Sequence, residues 1–157
     1  GIFNEGFALQ WAESVLDNIR ALGFEPRDVN TILMSHEHFD HVGGIAKIQA
    51  ATGARIVTTA EAAKVLRSGV TDPADPQAQS GHPPFPPVTG PIVSLDGPDG
   101  ALSAGSTFRS ISTPGHTLGA TSWSWQECEH AVCKTIVYVD SLNPISADGY
   151  RFSDHPD

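Results

Sequence analysis

At 157 residues, 39% hydrophobic and 17% charged, the chain is long enough for one domain with its own core and too apolar for a disordered segment. A formal net charge of −9 argues against nucleic acid, whose phosphates want a basic face, and against docking on anionic lipid. No apolar run approaches the ~20 residues that cross a bilayer, and no leader can be read from Gly1–Ile2–Phe3.

Apolar residues at Leu9, Ala12, Val15, Leu16, Ile19 and Leu22 predict an amphipathic helix over 8–22. Gly23 is placed to cap it, and Pro26 bars continuation. Residues 28–35 then read as a strand, and Gly43–Gly44 permits close backbone approach before a short helix over 45–51 stopped by Gly53. A buried strand over 54–58 follows. Thr59 can cap a helix over 60–67 that ends at Gly69. This alternation of helix and strand indicates α/β layering.

From 70 to 91 the character changes, because Pro73, Pro76, Pro83, Pro84, Pro86 and Pro87 break any regular element. So long a loop points to a segment bordering a site. Gln77 and His82 are its candidate substrate contacts, although each reads more readily as a solvated loop residue. The remainder reads as strands over 92–95, 107–112, 120–126 and 134–140, with a turn at Asp99–Gly100 between the first two.

The chemistry gathers where the strand 28–35 ends. His36 and His38, two apart on extended backbone, point the same way and can share a metal ion. Asp40 and His41 follow where the chain turns into a helix, so they can face a second ion beside the first. Neutral imidazole and carboxylate are ligands that zinc prefers. In Thr113–Pro114–Gly115–His116–Thr117–Leu118–Gly119, Pro114 fixes the entry to a loop that Gly115 and Gly119 let turn sharply. His116 at its tip can complete a three-histidine site. Further on, a strand ends in Asp140–Ser141. Cys128 and Cys133 flank a short turn; they could close a disulfide across the hairpin, remain two thiols, or form a metal clip with His130.

The run His36–Glu37–His38–Phe39–Asp40–His41 resembles the His-x-His-x-Asp-His signature of the metallo-β-lactamase superfamily, and Pro114–Gly115–His116–Thr117 resembles a loop of the same family. Asp140–Ser141, Trp123–Ser124–Trp125, Asn143–Pro144 and Gly149–Tyr150 resemble its subclass B3. That resemblance implies an α/β fold, the αββα sandwich, in one domain over 1–157. It is expected to be incomplete, with the first strands and the C-terminal end lying outside this sequence. Two zinc ions are implied: one held by His36, His38 and His116, the other by Asp40, His41 and a histidine beyond Asp157. The last role is not carried onto His155.

The implied activity is hydrolysis of the β-lactam amide of penicillins, cephalosporins and carbapenems by a zinc-bound hydroxide, conferring antibiotic resistance. Asp40 would orient the nucleophile. Ser141 would hydrogen-bond the metal-bound water and, with Gln77 and His82, meet the substrate. The partner is then a small β-lactam and neither nucleic acid nor membrane, with a monomer favoured. Some subclass members share the Cys128–Cys133 pair, and a disulfide there suits a periplasmic location. A different register makes Asp140 a bridging ligand, as in glyoxalase II and lactonases, with a thioester or lactone as substrate. A third reading is a chain that binds zinc without catalysis.

Overall fold

A computed structural model describes residues 5–95, 101–104 and 106–155; the turn expected at Asp99–Gly100 lies outside the described residues. The first element is α1 (Glu5–Ala21), which turns Ala12 and Leu16 inward and pairs Glu13 with Lys47 of α3. Gly23 closes it at φ +87°, donating its N–H to the Arg20 carbonyl at 2.9 Å. Next come β1 (Thr31–Leu33), α2 (Phe39–Val42), α3 (Ile45–Thr52), β2 (Arg55–Thr58) and α4 (Ala60–Ser68). The chain ends through β3 (Ile92–Ser94), β4 (Ala101–Ala104), β5 (Ser106–Ser112), β6 (Thr121–Glu129) and β7 (Val132–Tyr138).

The strands form two sheets. β1, β2 and β3 run parallel, with Ile32 opposite Ile56 and Ile56 opposite Ile92. β4 to β7 form an antiparallel meander in chain order. The expected strand over 28–35 is cut to 31–33. Pro26 starts a 3₁₀ turn over Pro26–Asp28, and the Asp28 carboxylate accepts the Glu25 N–H at 2.8 Å. At its other end the chain leaves the sheet to present the histidines.

Two glycines and a threonine close the helices as their chemistry requires. Thr59 Oγ1 accepts the Ala62 N–H at 3.3 Å, while Gly53 and Gly69 take left-handed φ of +75° and +72°. The core lies between the parallel sheet and its helices, around the fully buried Ile56 and Leu66. The proline-rich segment 70–91 is pinned to this core at its far end. Phe85 and Val88 are buried there, and their N–H groups donate to the Gly69 and Leu66 carbonyls, each at 2.9 Å.

The sheets are clasped to one another beside the histidines. Thr121 N–H donates to the Ser35 carbonyl at 2.8 Å, and the buried Trp123 Nε1–H donates to the Met34 carbonyl at 2.9 Å. Thr59 Oγ1 donates to the Gly119 carbonyl at 3.1 Å, drawing the β5–β6 loop onto the start of α4. Gly119 is required by that approach, since a Cβ there would stand 2.6 Å from Ala62 Cβ.

Candidate metal centre

Beyond β1 the backbone stays extended to His38 (φ −69°, ψ 148°), so His36 and His38 fall on one side, both buried. His116 reaches them from the β5–β6 loop, whose tip is closed by Gly115 N–H donating to the Thr117 carbonyl at 3.1 Å. One ring nitrogen from each of His36, His38 and His116 lies within 4.8 Å of the others. The rings meet edge to face, at 73° to 84°, with centroids 4.8 to 5.1 Å apart. They crowd around one point and do not stack.

Each ring is held from behind. His36 Nδ1 faces Asp140 Oδ1 at 2.7 Å, His38 Nε2 faces the Asp75 carboxylate at 3.1 and 3.2 Å, and His116 Nδ1 faces the Asn143 carbonyl at 3.1 Å. Carbonyl and ionised carboxylate oxygens only accept, so those three nitrogens carry the protons. The opposite nitrogens then present lone pairs to the shared point. There His38 Nδ1 and His116 Nε2 stand 3.2 Å apart, close to the roughly 3.3 Å that two nitrogens subtend on a tetrahedral zinc ion. His36 Nε2 is buried with no hydrogen-bond partner among the described residues. Facing lone pairs and an unpaired buried nitrogen are what a cation would satisfy, and imidazole suits zinc and related late first-row ions. The residues fit the group.

Burial favours the neutral form of two imidazoles here, those of His116 and His41. Burial pushes the His116 imidazole below its ordinary range, against the Asn143 hydrogen bond. It does the same to His41, helped by repulsion from His36. Burial alone would raise the Asp140 carboxyl, but hydrogen bonds from His36, the Ser141 N–H and the Ser35 side chain outweigh it and hold Asp140 below the usual carboxylate range.

Asp40 and His41 stand on α2, next to the three imidazoles. The His41 ring lies 3.9 Å from that of His36, and its Nε2 is 3.6 Å from Asp40 Oδ2. Ser141, Gln77, His82, Asp40, His41 and His116 all line one cleft of about 310 Å³. Within it His82 Nε2 approaches Gln77 Oε1 at 3.4 Å. Asp140 is turned away behind His36, so Ser141 and not Asp140 faces that cleft. His155 stacks on Tyr150 at 4.5 Å. Cys128 and Cys133, opposite one another on β6 and β7, form a disulfide with Cα atoms 4.0 Å apart; no clip with His130 forms.

Sequence reasoning passed over two residues. Glu37, 4% exposed, accepts Thr117 Oγ1 at 2.8 Å and Gly119 N–H at 3.0 Å, binding the first histidine run to the loop of His116. The alternation that brings His36 and His38 together sends residue 37 inward, where a carboxylate must find donors, so that signal was readable. Asp75 had no such signal, because nothing in the sequence ties position 75 to position 38.

The family model described as the metallo-β-lactamase superfamily matches residues 3–133, and the chain belongs to that superfamily. Its structural neighbours include subclass B3 metallo-β-lactamases. MIM-1, a metallo-β-lactamase from Novosphingobium pentaromativorans, is 45% identical with a TM-score of 0.84 over 94% of this chain and 54% of its own. MEM-A1, a subclass B3 metallo-β-lactamase from a soil metagenome library, is 39% identical with a TM-score of 0.83 over 88% of this chain and 52% of its own. A hydroxyacylglutathione hydrolase from Albidiferax ferrireducens is 30% identical over 68% of this chain and 31% of its own length. The chain thus spans about half of the solved structures it resembles and about a third of that curated relative. Two sheets flanked by helices match the metallo-β-lactamase fold.

Proposed function

We propose that this chain carries the zinc-binding part of a subclass B3 β-lactamase, which opens the β-lactam amide of penicillins, cephalosporins and carbapenems and so confers resistance. The observation that carries the reading is the convergence of His36, His38 and His116 on one point, beside a cleft that Ser141 lines and Asp140 does not. In this assignment His36, His38 and His116 hold one zinc ion, and Asp40 and His41 contribute to a second. A bound zinc ion supplies an acidified water and a Lewis acid for the carbonyl.

The chain's own residues do the rest. Asp40, at the open side of the cleft, orients the attacking water and accepts its proton. Ser141 offers a hydroxyl donor there, and Gln77 and His82 contact the substrate from the rim. Water adds across the amide, the C–N bond breaks, and the nitrogen leaves with a proton. Ser141 lines the cleft without a side-chain hydrogen bond to a histidine or carboxylate among the described residues, which favours water over a serine as the nucleophile. The partner is a small β-lactam. The Cys128–Cys133 bond favours an oxidising compartment, the periplasm in this reading.

The decisive assay uses the complete protein with zinc. Hydrolysis of nitrocefin and imipenem is expected, abolished together with most of the zinc at the first site in His116→Ala. A second reading has one observation in its favour, the identity to hydroxyacylglutathione hydrolases. Turnover of S-lactoylglutathione with inert β-lactams would put that thioesterase in place of the lactamase.

A further inference from the structure

We infer that Asp75 is a positioning residue of the metal centre, accepting the Nε2 proton of His38 and so fixing the tautomer that presents Nδ1 to the cation. The inference rests on the reading that His36, His38 and His116 hold a metal ion. Asp75 lies on the proline-rich segment, outside every signature that points to the site, yet its side chain is 2% exposed and that of His38 4%. Both carboxylate oxygens lie within 3.2 Å of His38 Nε2. A carboxylate so buried needs donors. It has the Gln77 N–H on Oδ1 at 2.7 Å and the imidazole, and the pairing with His38 is the only one of these that reaches out of the segment.

An imidazole has two tautomers, and only the one protonated on Nε2 leaves Nδ1 free to coordinate. Carboxylates behind metal-binding histidines select the tautomer and strengthen the donor, and their loss weakens metal binding by about 10- to 100-fold. The local backbone is built to hold Asp75 still. Its N–H donates to the Asp72 carbonyl at 3.0 Å, its carbonyl accepts from Ala78 at 3.0 Å, and Pro76 follows directly. The Pro76 carbonyl accepts the Ala147 N–H at 2.9 Å. That bond ties the segment to the 141–150 stretch, whose Asn143 carbonyl backs His116. Two of the three imidazoles are therefore braced by stretches clipped to each other, and the segment carrying Gln77 and His82 also sets the metal geometry.

The test titrates the full chain with cobalt(II) against a chromophoric chelator and reads the protonated ring nitrogen of His38 by NMR on the zinc-loaded, ¹⁵N-histidine-labelled protein. Asp75→Asn keeps an acceptor but loses the charge; it is expected to retain the Nε2 proton and bind cobalt about 10-fold more weakly. Asp75→Ala removes both, and is expected to lose the tautomer preference and about 100-fold in affinity. Asp72→Asn, which alters the same turn without facing His38, should stay within about twofold of wild type. If Asp75→Ala fails to fold, Asp75→Asn alone decides. Affinity lost in His116→Ala but unchanged in both Asp75 variants overturns this inference alone, as does an Asp72→Asn loss equal to that of Asp75→Asn. Cobalt affinity indifferent to His116→Ala overturns the metal reading and this inference with it.

Discussion

Glu37 sits between two proposed ligands and points the other way, into the protein, where it acts as a structural joint. Removing its carboxylate in Glu37→Ala leaves Thr117 Oγ1 and the Gly119 N–H without their acceptor, a loss of about 1–3 kcal/mol for each buried group left unpaired. Glu37→Gln is expected to be far milder, since its amide can accept from Gly119 while Thr117 rotates to accept in turn. Burial raises the Glu37 carboxyl above its ordinary value of 4.5, against the hydrogen bonds from Thr117 and Gly119. Just above pH 4.5 the folded state therefore keeps a proton that the unfolded chain has released, and stability falls as pH rises through that window. Urea unfolding of the metal-free protein at a series of pH values should show that decline in wild type. Glu37→Gln should lack that contribution. At this scale the period of two in the sequence told which side chains share a face. It could not tell what stands behind them, because Asp75 and Asp140 lie 37 and 104 residues from the histidines they back.

Among the elements, caps were the most legible and strand lengths the least. Gly23, Gly53, Gly69 and Thr59 end or start helices for local steric and hydrogen-bonding reasons that need no tertiary context. β1 is shorter than its apolar run, since the chain must leave the sheet to present His36. Beyond the expected elements, β4 pairs with β5. The segment 70–91 was expected to border the site; its Gln77 and His82 line the cleft beside His38 and His116, and it also feeds Phe85 and Val88 into the core, as its prolines did not foretell. Gly69 and Gly53 make a controlled comparison of what that anchoring requires. Both have left-handed φ, but a Cβ at Gly69 would stand 2.2 Å from the Phe85 carbonyl oxygen, whereas one at Gly53 meets nothing within 4 Å. Gly53→Ala should cost only the backbone strain, about 1–2 kcal/mol. Gly69→Ala should lose clearly more in thermal or urea melts. Equal losses would mean that the segment yields easily at Phe85.

For the molecule as a whole, α/β layering could be read from the order of elements, and the superfamily from the histidine runs at 36–41 and 113–119. The pairing of the two sheets could not, because it depends on single hydrogen bonds such as that from Thr121 to the Ser35 carbonyl. The proposed ligands lie on both sides of that junction, so a cation that binds only the native arrangement stabilises it by mass action. At a free zinc concentration of 1,000 times Kd the gain is about 4 kcal/mol. Differential scanning fluorimetry should show the melting temperature rising with zinc and returning with a chelator. In His116→Ala the rise should be mostly gone.

The bond from Trp123 Nε1 to the Met34 carbonyl has a consequence for measurement. Histidines from remote parts of the chain can grip one ion only while the seam next to them stays shut, so ion affinity becomes a gauge of how well that seam closes. Trp123→Phe alters no proposed ligand and keeps most of the buried ring, yet leaves the Met34 carbonyl without its donor. A weaker grip on zinc in that variant, with the histidines intact, would register the loosened seam as directly as any melting curve.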